Sequence, residues 1–323
     1  MASATKRVAG QHYNFLSEVD ETIQKVLATY GSDTPVSDIP DYERQDVVIA
    51  RALRGRLQER KRHCPICWLQ KKYCCCADCP PVSDEGNTPI DRIFLVMHPG
   101  EIGMGVDTSK LILASHPMKC RFVVAGIGSK YQSSMAELEM VMAQNNCLVL
   151  FPDEASRPFH EIAKEREGKG EAIITKRQST KNKSATTPAK KYEWNIVVID
   201  GTWQQARRIK KRYFEKEEFS VRTTRLSDKV VSMLGQEMVD GELNPGHQLR
   251  KHSSTSRKVG TFEAARLFLG DLADYYQHTM ENHDDDEIKL DNSGNSPLPS
   301  WIQMEKYQQI ANSALQAQKD CPC

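Results

Sequence analysis

The chain has 323 residues, with 44 lysines and arginines set against 43 aspartates and glutamates for a formal net charge of +1. That length suits one large domain or two modest ones, and the near-neutral balance leaves nucleic-acid and small-molecule partners both open. No uninterrupted apolar segment approaches the ~20 residues of a membrane span, and the N-terminus carries no apolar run behind its charges. These features argue against a helical membrane protein or a secretory signal and predict a soluble intracellular protein of the nucleus or cytoplasm.

The charges are segregated. Basic residues cluster at 51–72, 164–191 and 207–225, and Asp284-Asp285-Asp286-Glu287 forms an acidic block. Of ten cysteines, six crowd into 64–79. In a reducing compartment such crowding reads as metal binding rather than as a disulfide framework.

In chain order, residues 11–29 and 41–62 carry helical patterns, with Leu16, Val19, Ile23 and Val26 on one apolar face and Val47, Val48, Ala50, Leu53 and Leu57 on another. A loop with Pro35 and Pro40 separates them. Then come Cys64-Pro65-Ile66-Cys67 and Cys74-Cys75-Cys76-Ala77-Asp78-Cys79. Paired short cysteine turns wrap one tetrahedral zinc because each presents two thiolates to the same point; the best pairing is Cys64, Cys67, Cys76 and Cys79, with Cys74 or Cys75 able to substitute in the second pair. A closed four-sulfur site leaves no position for substrate, so its role is structural.

Past a polar loop, residues 93–97 read as a buried strand ending in His98-Pro99-Gly100-Glu101 and a glycine-rich stretch to Gly105, followed by a helix start at Leu111-Ile112-Leu113. The glycine spacing matches neither a dinucleotide fingerprint nor a Walker loop, and Gly126-Ile127-Gly128-Ser129-Lys130 lacks the full phosphate-loop motif. Strands at 121–125 and 147–151 flank a helix at 132–144. Their near-continuous apolar runs predict a mostly parallel sheet covered on both faces by helices. The stretch 157–191 holds ten lysines and arginines and few large apolar residues; it reads as a basic loop whose C-terminal half is mobile, either a solvated insertion or a flap meeting a polyanion.

Residues 195–208 then give strand, tight turn and helix in succession: Ile196 to Ile199 run into Asp200-Gly201-Thr202-Trp203, and Ala206, Ile209 and Tyr213 fall at helical spacing. Ligands of open α/β sheets bind beyond the carboxyl ends of the strands, which is where Asp200, Thr202 and Trp203 fall. The alternative is that Asp200 and Thr202 cap the helix and Trp203 packs beneath it. Five cations between Arg207 and Arg212 suit either a phosphate track or a solvated face. A Thr-capped helix from Thr261, an acidic turn-rich segment at 282–299 and a last helix near 301–316 complete the chain.

Asp200-Gly201-Thr202-Trp203 resembles the Asp-x-Thr-Trp signature of the DTW-domain family, known as tRNA-uridine aminocarboxypropyltransferases. His98-Pro99-Gly100-Glu101 is similar to its His-Pro-x-Glu, Thr108 with Leu111 to its Asn-Thr-x-x-Leu, and Leu150-Phe151-Pro152 to its strand-end element. Leu249-Arg250-Lys251 and Thr261-x-Glu263-Ala264 resemble its closing segments. Asp107 stands where Asn is common, Gly260 where Ser is common, and the loop before the signature is longer than usual.

The resemblance implies an α/β, SPOUT-like fold with a C-terminal trefoil knot, and aminocarboxypropyl transfer from S-adenosylmethionine to N3 of a tRNA uridine. The resemblance covers about Cys64 to Leu269, and with the patterns above it gives a helical extension (1–62), a zinc module (63–81), a catalytic domain (90–280, with the basic loop 157–191) and an acidic flexible tail with a terminal helix (281–323). Asp200, Thr202 and Trp203 are then catalytic, with Asp200 the candidate base. Leu150, Pro152, Asp200, Thr261 and Glu263 face the donor. His98, Glu101, Arg207, Arg208, Lys211, Arg250 and Lys251 face RNA. The alternatives are a methyltransferase, an rRNA aminocarboxypropyltransferase or a non-catalytic zinc-ribbon RNA-binding protein.

Overall fold

A computed structural model describes residues 15–82, 90–105, 107–144, 146–169, 171–173, 190–217, 219, 221–237, 260–281 and 300–320. Its elements are α1 (Phe15–Tyr30), α2 (Asp41–Glu59), β1 (Ile90–Met97), α3 (Lys110–Ser115), β2 (Cys120–Val124), α4 (Ser133–Ala143), β3 (Cys147–Leu150), β4 (Arg157–Pro158), α5 (Phe159–Gly168), β5 (Glu171–Ile173), β6 (Lys190–Tyr192), β7 (Trp194–Asp200), α6 (Trp203–Phe214), β8 (Arg222–Arg225), α7 (Asp228–Glu237), α8 (Thr261–Glu281) and α9 (Ser300–Asp320). Six strands make one sheet in the order β2-β1-β7-β3-β8-β4, and every pairing in it is parallel. Arg250 and Lys251, expected to face RNA, lie outside the described residues.

Parallel strands need both faces covered, and the side-chain alternation of each strand shows how this is done. In β7, Ile196 and Val198 enter one core with α1, α2, α3, α5, α8 and α9, while Val197 and Ile199 enter a second core with α4 and α6. The result is a three-layer α/β domain. The predicted strands and most predicted helices occur within a few residues of their expected ends.

Two segments differ from expectation. The first part of the expected basic loop is the helix α5, which buries Phe159, Ile162 and Ala163. Those residues lie at i, i+3 and i+4, one side of a helix, so the segment does contribute to the core despite its charge. The terminal helix α9 is likewise no appendage, since Met304, Ala311 and Leu315 join the main core.

The helix α2 docks across the C-terminal edge of the sheet through acidic side chains. Asp46 accepts the Gly128 amide at 2.7 Å, and Glu43 accepts hydrogen bonds from Tyr30, Tyr131 and Lys130. The amides of the loop that invited a phosphate reading are thus taken by protein groups, Gly126 donating to the Tyr213 hydroxyl at 2.7 Å. The Lys130 hydrogen bond, followed by those of the two tyrosines, draws the Glu43 carboxyl down to about 2 from 4.5. A depressed folded-state pKa gives stability that is present above the unfolded value and is lost as pH falls toward the folded one. Glu43→Gln is therefore expected to lower Tm at pH 7 and to flatten the loss of Tm between about pH 4.5 and about pH 2, readable by calorimetry across that window.

Candidate active site and metal centre

The strand order creates a crevice. β1 leads through α3 to β2 on one side of it, whereas β7 leads through α6 to β8 on the other. Connections that part in opposite directions leave an open cleft between the carboxyl ends of the two strands, the usual ligand position in such sheets. The turns that bound it are His98–Glu101 after β1 and Asp200–Trp203 after β7.

Backbone contacts bring these turns together. The His98 amide donates to the Asp200 carbonyl at 2.9 Å, continuing the pairing of Met97 with Asp200. Gly201 has φ +156°, and a Cβ there would lie 3.3 Å from the His98 Cβ and 3.2 Å from Gln205, so glycine permits this close approach. Asp200 is only 4 % exposed. Thr202 caps α6 in a capping box: its hydroxyl accepts from the Gln205 amide, and its own amide donates to the Gln205 side chain at 2.7 Å.

Trp203 does not pack beneath the helix. It is 43 % exposed and stacks on Phe151, with ring centroids 4.9 Å apart and planes 13° from parallel. Phe151 directly follows β3, the neighbour of β7, and Leu150 and Pro152 flank it. An aromatic shelf thus opens onto solvent beside Asp200.

His98 faces the crevice as a neutral imidazole. Burial pushes its pKa below the usual value; Glu101 opposes this, and the cations Arg56 and Arg208 reinforce it. Nδ1 accepts the Gly100 amide at 3.0 Å, which leaves the proton of the neutral ring on Nε2 as a donor. Glu101 is 9 % exposed. On α6, Arg207, Arg208 and Lys211 are exposed, whereas Lys210 is buried and pairs with Asp153 at 2.8 Å and with Glu215. The charge run therefore splits into one structural lysine and an outward cationic face.

The remaining predicted site residues are Thr261 and Glu263. Thr261 opens α8, and Glu263 is held in a buried ion pair in which both its carboxylate oxygens accept from Arg266, at 2.9 Å and 2.5 Å.

The cysteine module brings the sulfurs of Cys64, Cys67, Cys74 and Cys76 within 4.8 Å of one another. A tetrahedral zinc with Zn–S of about 2.3 Å requires sulfurs about 3.8 Å apart, and Cys64 and Cys76 lie 3.6 Å apart. Four such thiols could bind zinc. The hydrogen bond with Cys64 already pulls the Cys67 thiol down to about 6.

Of the expected set, Cys64, Cys67 and Cys76 stand in this cluster, joined by Cys74, one of the two residues expected to be able to substitute in the second pair. A single helical turn at Cys76–Asp78 is closed by the Cys79 amide on the Cys76 carbonyl at 3.2 Å; Cys79 packs with Val82 and Tyr307, and its thiol is hydrogen-bonded to that of Cys75, which also meets Cys67. The Cys-x-Cys spacing of Cys74 and Cys76 was the available signal. Sequence reasoning also missed Phe151 as the partner of Trp203 and Arg56 as a neighbour of His98.

The fold defines a three-layer α/β protein with a topological switch point between β1 and β7 and a cysteine cluster that could hold a metal. The sequence matches the DTW domain over residues 61–285. The chain belongs to the DTW-domain family, a tRNA-modifying family. Searches of curated proteins and of solved structures returned no match. Among the described residues, no helix is long and apolar enough to cross a membrane.

Proposed function

We propose that this chain transfers the 3-amino-3-carboxypropyl group of S-adenosylmethionine to N3 of a uridine in tRNA, and that its four clustered thiols hold a structural zinc. The observation that carries the reading is the family signature Asp200-Gly201-Thr202-Trp203 standing at the switch point, a buried carboxylate beside an open aromatic shelf.

Uridine N3 bears a proton and is a poor nucleophile until it is lost. In this reading Asp200 takes that proton, the N3–Cγ bond forms as the Cγ–S bond breaks, and the electron pair of the broken bond passes to sulfur. The sulfonium leaves as neutral methylthioadenosine, so acid assistance to the leaving group is small and positioning carries most of the rate. The Trp203–Phe151 shelf offers a π face to a base, the Nε2–H of His98 offers a donor to an oxygen, and the exposed arginines of α6 offer charge to phosphates. Leu150 and Pro152 wall the donor side.

The test is to mix protein, S-adenosylmethionine and bulk tRNA and identify the released product. Methylthioadenosine is expected. Release of S-adenosylhomocysteine would replace the reading by methyl transfer, and tRNA binding with neither product would replace it by a binding role. Trp203→Ala is expected to weaken tRNA or donor binding roughly 5–150-fold, the equivalent of about 1–3 kcal/mol per stacked base, without loss of fold, as measured by titration and circular dichroism.

A further inference from the structure

The basic cluster at 51–72 plays no part in the chemistry above, yet it lies against the crevice. Between Arg51 and Lys72 the sequence has eight lysines and arginines and a single carboxylate, Glu59. Their placement follows from α2. Near its start, Gln45 and Ile49 approach Gly126 beyond β2; near its end, the Arg56 guanidinium donates to the carbonyls of Pro99 at 2.5 Å and Ile102 at 3.2 Å. The cation-rich end of α2 is thereby fixed to the turn that carries His98.

Several of these cations have neutral hydrogen-bond partners. Arg54 donates to the Ser32 hydroxyl at 2.5 Å, Arg60 contacts the Met104 sulfur at 3.8 Å, and its stem packs 3.2 Å from where a Gly103 Cβ would stand. Lys61, Arg62 and Lys71 are exposed, and none of them has an ion-pair partner among the described residues. Arg54, Arg60, Lys61, His63 and Lys71 line one side of a groove of about 870 Å³ between α1, the end of α2 and the cysteine module, whose α1 side carries apolar residues and the single carboxylate Asp20. His98 feels Arg56 from this side and Arg208 from α6 on the other. Positive charge therefore extends from α6, across the mouth of the crevice, to the cysteine module.

We infer that the end of α2 and the cysteine module form a second RNA-backbone contact. Together with α6 it would flank the crevice, so that the substrate strand lies across the 98–105 turn with phosphates held on both sides of the reacting nucleotide. This rests on the reading of RNA as acceptor. Exposed cations such as Lys61, Arg62 and Lys71, standing beside a site that in this reading takes a nucleotide, match a polyphosphate chain in both charge and direction. α2 lies wholly outside the DTW match, which begins at residue 61, whereas Lys61, Arg62 and Lys71 lie inside it, so the contact joins the family segment to the helix that precedes it.

The experiment compares the full chain with the triple variant Lys61→Ala, Arg62→Ala, Lys71→Ala and, separately, with Arg207→Ala, Arg208→Ala, measuring tRNA affinity from 50 to 300 mM salt. Removing one cation–phosphate pair should reduce the logarithmic salt slope by about 0.7–0.9, so the triple variant is expected to lose up to about 2.1–2.7 in slope and to bind roughly 10–100-fold more weakly near 0.1 M salt. S-Adenosylmethionine affinity and melting temperature, which these exposed side chains do not set, are expected to stay unchanged. If the triple variant keeps its slope and affinity while the α6 variant loses both, the second contact is refuted and RNA remains the acceptor. If the unaltered chain binds no tRNA, the reading of the acceptor itself fails. Should the triple variant melt early, Lys61→Gln, Arg62→Gln, Lys71→Gln repeats the test with the side-chain stems retained.

Discussion

Asp200→Asn is expected to slow aminocarboxypropyl transfer by about 10²–10⁴-fold, the usual effect of losing a general base. Melting temperature and tRNA affinity should not change. The amide is nearly isosteric, and the backbone carbonyl that accepts the His98 amide at 2.9 Å is untouched, so the turn survives while the proton acceptor is lost. Single-turnover rates at saturating donor and tRNA give the measurement. Near-normal turnover would move the base elsewhere and leave Asp200 a structural part of the turn. Loss of the fold would mean that the buried carboxylate holds the β1 and β7 ends together.

The metal centre gives the other large effect. Freshly purified protein is expected to carry one zinc per chain, and prolonged chelation is expected to unfold the module that holds it, because the binding energy of a structural zinc, about 10–16 kcal/mol in isolated finger peptides, is folding energy. The ligand set makes the prediction specific. Cys67→Ser and Cys74→Ser should abolish stoichiometric metal, whereas Cys79→Ser, whose sulfur is buried with Val82 and Tyr307, should retain it. Elemental analysis beside calorimetry decides the matter. Retention of metal by Cys74→Ser with its loss from Cys79→Ser would restore the Cys76 and Cys79 pair.

Much of the fold was legible because parallel strands buried on both faces leave unbroken apolar runs, as in Ile196-Val197-Val198-Ile199. β8 was not legible. Its residues, Arg222-Thr223-Thr224-Arg225, include no apolar side chain, and only backbone pairing, with Leu148 to Leu150 of β3 on one side and with β4 on the other, makes them a strand. The helix α5 was hidden by its charges, although Phe159, Ile162 and Ala163 do carry a helical spacing. The signature turn could be read as a site because a strand running into Asp-Gly-Thr and then a helix is a local pattern. The shelf could not, since Trp203 and Phe151 meet only once β3 and β7 are neighbours, and strand order is a property of the whole chain. The spacing marked the thiol cluster but left its ligands open, because six cysteines between Cys64 and Cys79 offer more sulfurs than one tetrahedral ion takes.

The ring of Phe15 in α1 stands 5.5 Å from Trp68 in the cysteine module and 5.2 Å from Phe122 in β2, and Leu315 of α9 joins the same core. The stretch recognisable by descent, 61–285, is therefore smaller than the stretch that folds. A fragment trimmed to it would present Trp68 and Phe122 to water and leave Gly126 and Gly128 without Gln45 and Asp46 above them. Such a fragment is expected to aggregate rather than to report on the enzyme. For a relative whose chain begins near residue 61 of this one, the same geometry requires polar residues on that side of the sheet or a cover supplied by another molecule.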